Sequence, residues 1–480
     1  MSVDQRPLHH ITPEIGWLND PNGLVWHDGR YHVFHQANPR GVWFGRMEWG
    51  HLSSPDLVRW TRHPTAIAPS AGPDGDGSWS GCVVLDHGRP VAVYTGVNSL
   101  GVDMWTQTVC LARGDAALMQ WQKDPRNPVI SGPPGELKTI GFRDPFLRQD
   151  SDGWRMIIGT GIASRGGAIL QFRSQDLVSW TYEGVVFERD ATSTDPIWTG
   201  RIFECPQLVP LGDRELLVFS VWDDERPPVL HYVVAGLGRF EGHAFEPDRL
   251  ARFDHGADLY APALMVDPRG RILAWGWSWE ALTPAGRKAQ GWAGCLTFPR
   301  ELFVAADGSL GARPAAELVA LRGRRGSAGP FNLQSAEPWT AESLRGDALE
   351  IAVRIEDVEA RCVNLILRAS PDLTERTVVR YDRSRGRVEI DRDAASSSPE
   401  ALQGVHGGPL DVAPGEALDL RVLVDKSIVE VFANDRLVIT ERIYPTRPDS
   451  LGVSLVAEGG GARVANIDWW PLNAGVPGNG

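Results

Sequence analysis

Over the first three hundred residues the apolar positions come in short runs that alternate or are rich in β-branched residues. Tyr31-His32-Val33-Phe34-His35 and Pro90-Val91-Ala92-Val93-Tyr94 are examples. Clusters of Gly, Pro, Asn and Asp separate these runs, and a 3.6-residue apolar period is nearly absent, so the stretch reads as all-β. A repeat runs through it. Ser54-Pro55-Asp56-Leu57-Val58-Arg59-Trp60 is echoed by Ser174-Gln175-Asp176-Leu177-Val178-Ser179-Trp180, and more faintly by Ala117-Leu118-Met119-Gln120-Trp121. The three tryptophans fall about sixty residues apart, and each leads into another apolar run, a period that suits a four-stranded propeller blade. Residues 314–322 form the best short helix in the chain, and the Gly- and Arg-rich stretch 323–330 reads as a linker. Beyond it, residues 349–355 and 418–425 alternate plainly, as the strands of a β-sandwich do.

A chain of 480 residues is too long for one ordinary core, which agrees with two units. The formal charge of −13 excludes nucleic acid and anionic membrane surfaces as partners, because both need a basic footprint. No stretch approaches the roughly 18 apolar residues of a membrane span. Residues 1–7 lack the basic start and apolar run of a secretory leader. The five cysteines, Cys82, Cys110, Cys205, Cys295 and Cys362, are scattered with no Cys-x-x-Cys spacing. Together these features predict a cytoplasmic protein with reduced thiols. Nineteen tryptophans stand against seven tyrosines; most should fill the core, but exposed indole faces also stack on sugars.

The candidate chemistry lies in three acidic motifs, Trp17-Leu18-Asn19-Asp20-Pro21-Asn22-Gly23, Phe142-Arg143-Asp144-Pro145 and Glu204-Cys205-Pro206-Gln207. Each sets a proline within two residues of its acid, fixing the local chain. Paired carboxylates are what glycoside cleavage with retention requires: one is nucleophile, the other acid/base, about 5 to 5.5 Å apart. Asp20, Ser80, Asp144, Glu204 and Asp258 follow one another at intervals of about one blade, roughly 54 to 64 residues. If each comes from an inner strand, five blades aim them into one funnel. Asn19 and Asn22 are placed to donate to Asp20 and keep it ionised, and Phe203, Cys205 and Pro206 to desolvate Glu204 and raise its pKa. The bland alternatives are a surface turn at Asn19–Gly23, a solvated strand-end glutamate, and a surface ion pair at Arg143-Asp144. No helical pair of histidines suggests a metal, and the glycines at 459–461 read as a hairpin loop, so no metal or other cofactor is expected.

Taken in order, these motifs resemble glycoside hydrolase family 32, the invertase, inulinase and levanase family. The likeness extends to Phe34-His35-Gln36, Trp49-Gly50-His51, Trp79-Ser80-Gly81, Asp258-Leu259-Tyr260-Ala261, Gly291-Trp292-Ala293-Gly294, Leu296-Thr297-Phe298-Pro299-Arg300-Glu301-Leu302 and Ser427-Ile428-Val429-Glu430-Val431-Phe432. The resemblance implies an all-β fold: a five-bladed β-propeller catalytic domain over residues 1–312, a short helix and linker over 313–330, and a C-terminal β-sandwich over 331–475. It implies Asp20 as nucleophile, Glu204 as acid/base and Asp144 as transition-state stabiliser. Asn19, Gln36, Phe44, Trp49, Trp79, Ser80, Arg143, Tyr260 and Trp277 are the implied substrate-binding residues, with Trp43 competing for the place of Phe44. Two positions depart from the family pattern near the expected funnel: Cys82 stands where serine is usual and Ala263 where glutamine is. The implied activity is that of a retaining β-fructofuranosidase acting on sucrose, fructo-oligosaccharides or fructans. The alternatives are a fructosyltransferase with the same carboxylates, a hydrolase of pentose-containing glycans, and a noncatalytic fructan-binding protein. The small-molecule sugar or fructan is the expected partner, and the sandwich the expected surface for any homo-oligomer.

Overall fold

The computed structural model describes residues 4–98, 107–223 and 229–473; Met1 to Val3 and residues 474–475, which bear on the leader and on the expected domain end, lie outside them. Five antiparallel sheets follow one another along the first part of the chain, and together they form a β-propeller. Their first strands are Gly16–His27, Gly77–Asp86, Thr139–Asp150, Ile202–Leu211 and Leu259–Val266. Each is followed by three partners in simple meander order, except that the fifth sheet sends a two-residue strand back to the first. There Trp292 and Ala293 pair in parallel with Gly16 and Trp17. This latch ties the last sheet to the first and covers the start of the first inner strand.

The repeat seen in the sequence is one loop made three times. Leu57, Leu118 and Leu177 all adopt left-handed backbone, at φ of 64°, 61° and 65°, and all three are buried. In two copies an aspartate caps the turn: Asp56 accepts from the amides of Val58 and Arg59, and Asp176 from those of Val178 and Ser179. Trp121 and Trp180 then donate their indole N–H to the carbonyls of Leu118 and Leu177.

Two sheets form the sandwich, one of seven strands and one of five, around a core that includes Ile351, Leu365, Val422 and Leu455. The alternating stretches of the sequence are the paired strands Ala348–Val358 and Leu418–Asp425. A second core crosses between the two units, with Phe253, Phe298, Leu302 and Leu318 on one side and Leu423, Phe432 and Val438 on the other.

Four expectations need correction. Residues 314–322 make only the 3-10 turn Ala316–Leu321, whose Leu318 and Leu321 are drawn into the core between the units. The α-helix among the described residues is Pro284–Gln290, capped by the Thr283 side chain and ended by left-handed Gly291; Thr-Pro at its start and Gly at its end are the signals that mark it. Part of the linker is sheet, since Gly326–Ala328 pairs with Asp468 and its neighbours. Gly326 suits that place because a Cβ there would lie 2.0 Å from the Trp469 ring. Finally, the glycines at 459–461 join no hairpin: Gly452–Glu458 belongs to the five-stranded sheet and Ala462–Pro471 to the seven-stranded one.

Candidate active site

Every first strand of the propeller carries a bulge at its motif, two residues standing against one on the partner strand. Asn19-Asp20 opposes Gln36, Trp79-Ser80 opposes Thr95, Asp144-Pro145 opposes Ile158, Cys205-Pro206 opposes Phe219, and Ala261-Pro262 opposes Gly276. A bulge bends the strand and re-aims its side chains, and proline is tolerated there because the ladder is already broken. Asp144, Cys205 and Ala261, each just before a proline, adopt positive φ of 63°, 47° and 45°. The prolines of the three motifs therefore mark a device that all five sheets share.

The bulges turn their side chains toward one cavity of about 290 Å³. Asp20, Asp144 and Glu204 line it, together with Asn19, Gln36, Phe44, Trp79, Ser80, Arg143, Tyr260 and Trp277. Trp49 does not. It is fully buried behind the wall, where its indole N–H donates to the carbonyl of Trp79 (3.0 Å), so it shapes the pocket by holding Trp79. Asp258 also leaves the funnel and faces the sandwich; Tyr260, two residues on, is the fifth sheet's contribution. Phe44 takes the aromatic place and packs edge-on against Trp79 (5.2 Å), whereas Trp43 is 57% exposed. Cys82 and Ala263 lie past the bulges, beside a separate cavity further along the same strands, so the two departures from the family pattern do not touch the carboxylates.

Asp20 accepts from Ser80 Oγ (2.7 Å) and Asn19 Nδ2 (2.9 Å). Asn19 is itself fixed by the indole of Trp17 (2.8 Å). Asn22, expected to share this task, makes no hydrogen bond with its buried amide. Burial raises the Asp20 pKa above the usual carboxylate value, the Ser80 and Asn19 bonds oppose the rise, and the charge of Glu204 adds to it. Asp144 accepts from the Cys205 amide (3.0 Å) and is raised to about 7 by burial, with Arg143 opposing and Glu204 and Asp20 reinforcing. Three carboxylates lining one pocket repel one another, and a proton near neutral pH relieves them.

Glu204 is held differently from the expectation. Phe203 turns into the core, and the neighbours of the carboxylate are polar: Arg143 reaches Oε1 through Nε (2.9 Å) and Nη2 (2.8 Å), and Tyr260 Oη lies 2.7 Å from Oε2. Tyr260 Oη is also 3.1 Å from the carbonyl of Val221. It can therefore donate to an ionised Glu204, or donate to Val221 and accept from a protonated one. The Arg143 guanidinium lies over the face of Trp222 at 4.9 Å.

Gln36 Oε1, Trp79 Nε1 and Trp277 Nε1 are buried and have no hydrogen-bond partner among the described residues. Trp17, Trp222 and Leu230 also line the cavity and were not foreseen. Trp17 opens the first acidic motif and was readable from it; Trp222 and Leu230 sit on second and third strands, where no motif points to them. Among the described residues no cluster of three or more histidine, cysteine or carboxylate side chains suits a metal ion, and no helix is long and apolar enough to cross a membrane.

With this geometry in place, the chain can be set against known families. Residues 10–314 match the glycosyl hydrolases family 32 N-terminal domain and residues 317–471 the family 32 C-terminal one. The chain belongs to glycosyl hydrolase family 32. It is thus a glycoside hydrolase. It is 33% identical to sucrose-6-phosphate hydrolase of Escherichia coli, over 97% of this chain and 94% of that protein. It is 32% identical to the raffinose invertase of Escherichia coli, over 97% and 95%. Among solved structures, fructan 1-exohydrolase IIa from Cichorium intybus superposes with a TM-score of 0.88 at 25% identity, covering 98% of each chain.

Proposed function

We propose that this β-fructofuranosidase releases terminal fructose from sucrose, fructo-oligosaccharides or fructans by a retaining, two-step mechanism. Asp20 attacks the anomeric carbon as the bond to the leaving oxygen breaks, and Glu204 gives that oxygen its proton. Water then attacks the fructosyl ester, returns a proton to Glu204 and frees Asp20. Asp144 grips ring hydroxyls, and its hydrogen bonds strengthen as positive charge develops on the ring. The observation that carries this reading is the unequal dressing of the acids. Asp20 receives two fixed neutral donors, Ser80 and Asn19, while Glu204 has, besides Arg143, a tyrosine able to serve either protonation state.

The three unpartnered polar atoms, Gln36 Oε1, Trp79 Nε1 and Trp277 Nε1, suit the hydroxyls of a terminal fructose. The propeller supplies every group in the scheme, and the sandwich supports it. All five cysteines are buried and none is in a disulfide, which fits a reducing, cytoplasmic setting.

The test is the anomer first released. An NMR time course on sucrose, inulin and levan should show β-fructofuranose before mutarotation, and α-fructofuranose appearing first would overturn retention. Glu204→Gln should cost on the order of 10² to 10⁴ in rate on these substrates. Full activity in Asp20→Asn would sink the assignment of the nucleophile.

A further inference from the structure

Asp258 was expected in the funnel and instead sits where the sandwich meets the fifth sheet. Its carboxylate is buried at 2% exposure. On the sandwich side, Oδ2 accepts from the Arg392 guanidinium and from the Arg442 amide (2.8 Å). On the propeller side, Oδ1 accepts from the indole N–H of Trp279 (3.2 Å). The Trp279 ring leans on Tyr260, with centroids 5.5 Å apart at 34°, and meets Trp277 edge-on at 5.4 Å. Tyr260 in turn holds Glu204 Oε2. Four contacts thus connect an arginine of the sandwich to the acid/base.

The connection is costly to build. Arg392, Asp258 and Glu441 are all buried, with Arg392 Nη1 also 2.5 Å from Glu441 Oε2. Well-packed apolar residues in place of a buried ion pair are often as stable or more so. Stability alone therefore gives little reason for an arginine here. Orientation gives one: a carboxylate fixed from two sides holds the indole N–H, and with it the plane of the ring against which Tyr260 rests. Trp277, the other ring that meets Trp279, has no hydrogen-bond partner for its Nε1 among the described residues.

We propose that Arg392 is a positioning residue for the acid/base, acting through Asp258 and Trp279 on the ring of Tyr260 that orients Glu204. The sandwich then has a part in proton transfer without touching substrate. This rests on the proposed role of Glu204, and the experiment separates the two. Protonation matters for a poor leaving group and little for a good one, so kcat/KM, which reports events up to leaving-group departure, should be compared on two substrates. One is the best substrate among sucrose, inulin and levan; the other is β-fructofuranosyl fluoride. Trp279→Phe keeps an aromatic ring and loses the N–H. It should lower kcat/KM about tenfold on the natural substrate, a part of the 10² to 10⁴ that acid catalysis supplies, and leave the fluoride within about twofold.

Arg392→Met should show the same split and Arg392→Lys should restore most of the loss. If Arg392→Met does not fold, Trp279→Phe decides alone. Equal losses on both substrates, or no loss on either, overturn the proposal. Glu204→Gln and Tyr260→Phe serve as references: if they lack the split, the acid/base assignment has failed, and if they show it while Trp279→Phe does not, the positioning role has failed.

Discussion

At the scale of single residues, the site is decided by which donor reaches which carboxylate. Ser80 Oγ gives Asp20 its shorter bond, 2.7 Å, and a donor to the anion lowers the pKa that burial raises. Removing it therefore moves the pKa of Asp20 further up. In Ser80→Ala the acidic limb of kcat/KM should shift to higher pH, with a loss of about tenfold on that limb and a smaller one at higher pH, where Asp20 is ionised regardless. An acidic limb identical to that of the parent protein would show that Ser80 does not bear on the ionised Asp20. The sequence made Asp20, Asp144, Glu204, Ser80 and Tyr260 legible because polar residues in ordered motifs have few other reasons to be there. It could not tell Trp49 from Trp79, since both are flat apolar side chains with one N–H to satisfy. Nor could it tell Asn19 from Asn22, because the bulge, not the spacing, decides which amide turns toward the acid.

At the scale of elements, the repeat and the motifs prove to be two ends of one design. The inner strands break at their bulges, and the loops further along the sheets turn on a left-handed leucine. Leucine at φ near 65° is strained by about 1 to 2 kcal/mol, and burial of its side chain, worth roughly 1.5 to 3 kcal/mol, offsets this. The aspartate before it is the fixed part, accepting two amides and a serine hydroxyl in each full copy. Asp56→Ala and Asp176→Ala should each destabilise the protein by about 1 to 2 kcal/mol, and the double variant by the sum, since the loops lie in different sheets. Urea unfolding measures this, and kcat should not move, because neither loop touches the cavity. This repeat was readable because a Ser-x-Asp-Leu-x-x-Trp loop is local chemistry. The helix at Pro284–Gln290 was missed for being seven residues long, too short for a period to show. The strand at Gly326–Ala328 was missed because its partner lies some 140 residues further on in sequence and fixes it by a close approach to Trp469.

At the scale of the whole molecule, the propeller and sandwich are joined by buried charge as well as by apolar packing, and the sequence said least about this. Arg300 bridges Asp254 and Glu430, both at 2.7 Å. His10, on the segment before the first strand, lies between Asp425 (2.8 Å) and Glu430 (3.1 Å), while Asp425 also accepts from the amides of Leu8, His9 and His10. The N-terminal segment is thereby strapped to the sandwich. Burial alone would lower the pKa of His10, but the two carboxylates outweigh it and the net shift is upward from 6.5. Asp425 and Glu430 are lowered: burial opposes this, but bonds and charges from His10 and, for Glu430, the Arg300 charge outweigh it, so both stay ionised through neutral pH. A histidine whose folded pKa exceeds its unfolded value adds stability that is complete below about pH 6.5 and is lost as pH rises through the folded pKa. His10→Ala should therefore cost about 3 kcal/mol in weak acid, where a buried pair loses one partner, and less as the pH rises from there through the raised pKa of His10. Unfolding of both proteins at about pH 6 and about pH 9 measures the difference. A gap that stays constant across that range would mean that His10 is uncharged in the fold and that the strap is held by hydrogen bonds alone.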